Sequence, residues 1–437
     1  MPGKTRIETP CHLAGFAAAG RQALTNHGIA VNDGLANGAG TLTTMAREPM
    51  LTAAKRVVVV APDLTSLQRL RGDLLVAMVA RRHRVLCLVP DRASKSTKPA
   101  DVAAAAARQA ARLKFATSFA VEIATYPMRS GRPSLLGERA AIQSLVSQFA
   151  EFRPHLVLGY GAKAMLVAAR AGAKANIGRR VSLVSSLGPA FEDDSAPHWS
   201  WRRLFTQGLA ASHAAIFHNG EDQRRLAKLG VLPKDLELHT VSGAGVDLER
   251  FPVQPLPPLS GTGGQGLVFL LIGRTDAVKG VVEFRDAARA LAERSPHSRF
   301  VIAGPPGDAA ALLLPTAGST LELIGDTADV RQLIAQAHVV VVPSHAEGMS
   351  RVALEALASG RPLITSDIPG ARETVDERVN GVLVPPRDVK ALTTAMESFL
   401  KRPDLIASMA RASRLKAERR FDVKTVNAKI MKVLDLA

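Results

Sequence analysis

Short aliphatic runs alternate along the chain with longer stretches of helical spacing. Arg56–Ala61 (RVVVVA) is an apolar run closed by Pro62-Asp63, the pattern of a strand buried on both faces of a parallel sheet. Helical spacing follows over Ser66–Ala80, then a strand over Arg84–Val89 and an alanine-rich helix over Val102–Leu113. Further strands are expected at His155–Gly159, Val181–Ser185, Ala214–His218 and Leu236–Val241. Phe251–Gly266 has four prolines, a glycine cluster and no period, which reads as a linker. A second series of strands then opens at Leu267–Ile272 and continues with Phe300–Ala303, Leu321–Ile324, Val339–Val342 and Pro362–Thr365.

Strand–helix–strand repetition predicts α/β architecture, with two Rossmann-like, doubly wound parallel-sheet domains. Residues 55–250 form the first and 267–420 the second, joined by 251–266. Residues 421–437 are read as a final helix crossing back to the first domain, the last helices being about Leu405–Arg419 and Val423–Leu436. Ligands are expected in an interdomain cleft, at the carboxyl ends of the strands. Residues 1–54 show neither period and are read as a poorly ordered leader, with Met45 or Met50 as alternative starts.

The composition agrees with two cores: 437 residues, 47% hydrophobic and 22% charged, with so few aromatics (4%) that Leu, Val and Ala must build them. Only Cys11 and Cys87 are present, which excludes a disulfide framework or a zinc-ligand spacing and suits a reducing compartment. No apolar stretch approaches the roughly 18–20 residues of a membrane span, and no secretory signal is read at the N-terminus. The net charge of +17 calls for an anionic partner: nucleic acid, an anionic membrane surface or a phosphorylated substrate.

Candidate chemistry is densest in the second domain. The strand Leu267–Ile272 ends in Gly273-Arg274, and Lys279-Gly280 follows at a helix start. Two cations and helix-start N–H groups aimed into one crevice would neutralise a diphosphate, whereas the bland alternative is a solvated turn. After Val339–Val342 comes Pro343-Ser344-His345-Ala346-Glu347-Gly348-Met349-Ser350 and a helix containing Glu355. Gly348 permits close backbone approach. Glu355 lies on an otherwise apolar segment, so it should be buried and needs donors: sugar hydroxyls, or else backbone or a nearby arginine such as Arg351. The loop Asp367…Gly370…Glu373 and the turn Asn380-Gly381 complete the set.

In this order, these motifs resemble the donor domain of glycosyltransferase family 4, which has the GT-B architecture, over nearly everything from Arg56 onward. Gly161-Ala162-Lys163, Ser186–Phe191, Phe217-His218-Asn219 and Gly243–Asp247 are similar to transferases acting on polyprenyl-diphosphate-linked sugars. Among these are the bacillosamine-extending N-acetylgalactosaminyltransferases and O-antigen fucosaminyltransferase-like enzymes. The resemblance implies retaining transfer from a nucleoside-diphosphate sugar, UDP-linked by family default, with no obligatory metal and no cofactor beyond that co-substrate. It implies Arg274, Lys279 and Glu347 as catalytic, the cations holding the diphosphate and Glu347 the sugar. Gly273, Gly348, Met349, Ser350 and Glu355 would bind the donor, Glu355 through its ribose.

The implied acceptor is a lipid-linked sugar or nascent glycan of a bacterial lipopolysaccharide, O-antigen, capsule or exopolysaccharide. The first domain departs from the family pattern. Asp63-Leu64-Thr65-Ser66 stands where many members have a glycine-rich loop, and Gly159-Tyr160 where many have a histidine, so Arg69, Arg71 and Lys163 are offered as acceptor-phosphate contacts against an ordinary basic face. The runs Arg81–Arg84, Arg179-Arg180, Arg202-Arg203 and Arg224-Arg225, with Trp199 and Trp201, suit a cytoplasmic protein held peripherally on the anionic inner face of the plasma membrane. A nucleic-acid binder lacks a reading motif. A sugar-nucleotide epimerase of the same architecture lacks assignable acid and base groups, and a catalytically dead sensor is hard to reconcile with four intact site residues.

Overall fold

In a computed structural model of the protein, residues 53–91, 99–128, 138–187, 191, 199–259, 266–313, 321–327 and 329–437 are described. The leader expectation therefore falls, but for Ala53 and Ala54, outside them. The first aliphatic run is strand β1 (Arg56–Val60), whose four valines are buried. Asp63 closes it and accepts from the Ser66 N–H at 2.7 Å, capping α1 (Leu64–Ala80). There follow β2 (Arg84–Asp91), α2 (Pro99–Phe119), β3 (Glu122–Pro127), α3 (Arg139–Phe152), β4 (Leu156–Tyr160), α4 (Ala162–Lys174) and β5 (Arg179–Val184). Then come α5 (Trp199–Ala210), β6 (Ala214–Phe217), α6 (Gly220–Lys228) and β7 (Glu237–Thr240). The second series is β8 (Val268–Ile272), α7 (Val281–Ala292), β9 (Arg299–Ala303), β10 (Leu321–Ile324), α8 (Arg331–Ala335), β11 (Val339–Val342) and α9 (Arg351–Ala358). It ends with β12 (Leu363–Ser366), α10 (Pro369–Arg372), β13 (Gly381–Val384), α11 (Val389–Lys401), α12 (Asp404–Lys416) and α13 (Val423–Val433).

The strands form two parallel sheets, β3-β2-β1-β4-β5-β6-β7 and β10-β9-β8-β11-β12-β13. The α/β expectation of two doubly wound sheets holds. Two details differ. Strand β3 went unread because only Tyr126 in it is buried, so no apolar run marks it. Helix α2 outruns the expected Val102–Leu113, since Arg112–Phe119 contains no breaker and the turn comes only at Ala120, with φ 51°.

The described chain divides into two compact units, 53–180 with 434–437, and 181–433. In the first, Val58, Val60, Leu86 and Leu88 pack against Leu145 and Phe149 of α3. The chain's last residues belong here: Lys55 Nζ donates to the Asp435 carbonyl at 2.6 Å. In the second, β8 sorts its side chains with the period of a strand. Phe269 and Leu271 join Phe284 of α7 and Phe399 of α11 on one face, and Leu270 joins Val340 and Leu354 on the other. The order of this sheet reverses between β8 and β11, so the loops after those strands flank a topological switch point, where open α/β sheets take ligands.

Candidate active site

The loop after β8 is a short 3₁₀ turn, Ala277–Lys279, ended by Gly280 at φ 73°. A Cβ on Gly280 would lie 2.1 Å from the Pro343 carbonyl oxygen, so glycine is required both for the backbone angle and for contact with the loop after β11. That contact is reinforced by the His345 N–H, which donates to the Val278 carbonyl at 2.8 Å, and by His345 Nε2, 2.8 Å from Glu283 Oε1 in the first turn of α7.

Held this way, Lys279 Nζ donates to Glu347 Oε1 at 2.8 Å, and Ser344 Oγ donates to Glu347 Oε2, also at 2.8 Å. Both carboxylate oxygens are thus engaged. Gly273, Lys279, Ser344, Glu347, Ser350 and Arg351 line one cavity of ≈ 100 Å³. That is below the roughly 300–1,000 Å³ of drug-sized pockets, so it accommodates a small group and not a whole ligand of that size.

Other expected residues lie off this wall. Arg274 is 61% exposed and donates through Nε to Asp276 Oδ2 at 2.8 Å. This hydrogen bond raises the guanidinium pKa and lowers that of the Asp276 carboxyl. Glu355 is buried at 4% exposure, as its apolar setting implied, and its partner is Arg351, with Nε–Oε1 3.2 Å. Gly348 is close-packed for a protein reason: a Cβ there would lie 2.3 Å from the Ser185 carbonyl oxygen. Met349 sets its sulfur against Gly243, 2.5 Å from where a Cβ would stand.

The loop after β12 is tied by ion pairs. Arg372 binds Asp367 and, at 2.8 Å, both oxygens of Glu221, while Arg420 donates to Glu373 at 2.5 Å. Asn380 serves the fold, accepting from the Asp376 N–H at 2.6 Å.

In the first unit, Arg71 is only 1% exposed, with its guanidinium 5.5 Å over the Tyr160 ring, and burial lowers its pKa to about 10. It therefore lies on no solvated basic face. Lys163 pairs with the buried Glu138 at 3.1 Å, and Arg69 is exposed. Trp201 packs edge-on to Phe205 at 6.2 Å, and the side chain of Trp199 lies outside the described residues. Asp276 and Glu283 were not singled out from the chain. Ser344 stands inside the quoted Pro343–Ser350 motif, but nothing in the spacing marks Glu283 or Asp276.

Residues 266–402 match the family model described as "Glycosyl transferases group 1". This segment is of the group 1 glycosyltransferase type. The chain is 34% identical over 194 residues to a glycogen synthase of Mycobacterium tuberculosis, covering 43% of this chain and 46% of that protein. It is 32% identical over 200 residues, 42% of this chain and 46% of the relative, to a D-inositol 3-phosphate glycosyltransferase of Saccharomonospora viridis. The chain thus spans about half the length of these curated relatives.

A longer, weaker match, 23% over 275 residues, 60% of this chain and 71% of the relative, is to the N,N'-diacetylbacillosaminyl-diphospho-undecaprenol alpha-1,3-N-acetylgalactosaminyltransferase of Campylobacter jejuni. Among solved structures, Anabaena HepE in complex with UDP superposes with TM-score 0.65 at 18% identity, over 88% of this chain and all (100%) of that one. Sucrose-phosphate synthase of Thermosynechococcus elongatus gives 0.64 at 17%, over 87% and 98%. These likenesses establish the GT-B fold.

Proposed function

We propose that the protein is a family 4 transferase. It would move a sugar, with retention, from a UDP-linked donor to a lipid-diphosphate-linked sugar or nascent glycan in bacterial surface polysaccharide synthesis. The observation that carries this reading is the Lys279–Glu347–Ser344 network at the β8/β11 switch point, inside the segment that matches the group 1 family. Lys279, 30% exposed, is a cation at a strand's carboxyl end with solvent access, suited to stabilising charge that grows on a departing diphosphate. Arg274 is the second such cation, once released from Asp276.

In the proposed reaction, the bond from the anomeric carbon to the phosphate oxygen breaks, and the acceptor hydroxyl oxygen bonds to that carbon from the same face. The hydroxyl proton passes to the leaving phosphate, so neither a separate general base nor a metal is required. Glu347 and Glu355 are not a glycosidase pair: each is engaged by a neighbouring side chain, Lys279 with Ser344 and Arg351 respectively. No helix among the described residues is long and apolar enough to cross a membrane, and the exposed arginines are the basis for a peripheral, cytoplasmic-face location.

The test is thermal unfolding with a panel of UDP- and GDP-sugars, followed by transfer of labelled sugar to a lipid-diphosphate sugar. A ligand at 100 times its Kd stabilises by about 2.7 kcal/mol. Lys279→Met should abolish that protection with little change in the unliganded Tm. Absence of protection by every sugar nucleotide, together with absence of transfer, would overturn the reading.

A further inference from the structure

A second cavity, of ≈ 330 Å³, lies within the second unit at the carboxyl ends of β6 and β7. Its volume falls in the roughly 300–1,000 Å³ range of ligand pockets, and its location is the ligand end of a parallel sheet. The walls are polar almost throughout: Asn219 and Arg224 from the start of α6, Thr240 and Ser242 after β7, and Glu373 and Arg420 from the C-terminal half. Two cations face one carboxylate, and that carboxylate is already matched by Arg420 at 2.5 Å. The Arg224 guanidinium is folded over Gly220, its Nη1 3.2 Å from where a Cβ would stand, so it is seated on the cavity wall by the absence of a side chain there.

The cavity also adjoins the donor loops. Ser242 precedes Gly243, which abuts Met349, and Glu373 lies three residues past Gly370, whose Cβ position is 2.3 Å from the Gly348 carbonyl. A group bound here would sit next to the loop carrying Glu347 without occupying the Lys279 cavity.

The geometry points to an acceptor subsite for a phosphorylated sugar, with Arg224, seconded by Arg420, taking the phosphate or diphosphate. The Asn219 amide is held by Asp222, so the hydroxyl of Ser242 and the carboxylate of Glu373 would take sugar hydroxyls. This rests on the proposed transfer to a lipid-diphosphate-linked acceptor and assigns the residues that recognise its anion. The excess cation at Arg224 selects an anionic acceptor over a neutral glycan.

Two measurements decide it. In saturating UDP, which fills the donor site, inorganic diphosphate should still raise the Tm of the wild type, and Arg224→Gln should remove that rise. In transfer assays, the ratio of kcat/KM for a lipid-diphosphate sugar over the same sugar as an alkyl glycoside should fall about tenfold in Arg224→Gln. It should also fall in Gly220→Ala, which displaces the guanidinium but keeps its charge. Arg225→Gln, on the same helix and off the cavity wall, should leave the ratio alone, and all three variants should keep protection by the sugar nucleotide. No diphosphate effect beyond UDP, or an unchanged ratio in Arg224→Gln, would overturn the subsite while leaving the transferase reading in place. If the wild type transfers to neither acceptor, the transferase reading fails, and the diphosphate titration still decides whether the anion site exists.

Discussion

Two glycines flank Lys279, and the structure assigns them opposite roles. Gly280 combines φ 73° with a Cβ position 2.1 Å from the Pro343 oxygen and 2.9 Å from the Pro343 ring. Gly273 has no positive φ, and the nearest atom to its Cβ position is Lys279 Cγ at 4.0 Å. In Gly280→Ala, the left-handed backbone costs about 1–2 kcal/mol. The clash must also push the β11 loop aside by about 1 Å, an overpacking cost of about 1–3 kcal/mol. The sum is about 2–5 kcal/mol, or on the order of 10 °C in Tm for a domain of this size.

Because Pro343 leads directly into Ser344 and Glu347, the same displacement should pull Glu347 from Lys279 and weaken donor protection. Gly273→Ala should stay within about 0.5 kcal/mol of wild type, as a substitution into open space does. Its methyl group would nonetheless enter the cavity beside Lys279, so donor affinity should drop while stability holds. The assay is thermal unfolding of both variants with and without UDP-sugar. A Gly280→Ala protein melting within 1–2 °C of wild type (roughly 0.5 kcal/mol), or a Gly273→Ala protein as unstable as it, would refute the reasoning.

Arg361 is fully buried and donates to six backbone carbonyls: Gln254, Pro255, Ile334, Ala335, Ser359 and Gly360, at 2.8–3.2 Å. Ser359 and Ile334 also accept from the Gln254 and Ala337 N–H groups, so Arg361→Leu orphans the other four carbonyls and should cost about 3–5 kcal/mol in urea unfolding; a loss under about 1 kcal/mol would show that they find other partners. His338 is held neutral, its Nδ1 accepting the Val268 N–H at 2.9 Å, and burial lowers its pKa below the ordinary 6.5. The unfolded chain therefore binds the proton first. This contribution to stability is complete above pH 6.5 and is lost as pH falls from there through the folded value. His338→Gln should flatten the decline of Tm between about pH 8 and about pH 5, and an unchanged slope would assign that decline to other groups. On anionic liposomes the protein should float at low salt and be released as salt rises, at about 1 kcal/mol per surface charge. Failure to bind even at low salt would end the membrane proposal.

Much of the fold is legible in the chain because its strands are short, aliphatic and buried on both faces. β1 and β11 announce themselves for that reason, whereas β3, with one buried residue, does not. The order of the site motifs is likewise a property of the chain. Which of them meet is not. Lys279 and Glu347 are 68 residues apart and touch only because β8 and β11 are neighbours at the point where the sheet order reverses.

Spacing offered sugar hydroxyls, backbone or Arg351 as partners for the buried Glu355, and packing supplied Arg351. Spacing also aimed Arg274 into the crevice, but an aspartate two residues on turned it outward. Glycine at 348 read as room for a ligand, and its immediate reason is the Ser185 backbone. Local pattern determines what an element is, since burial of its own side chains decides that. Partners are set by strand order and close packing across the sheet, which depend on residues far away along the chain.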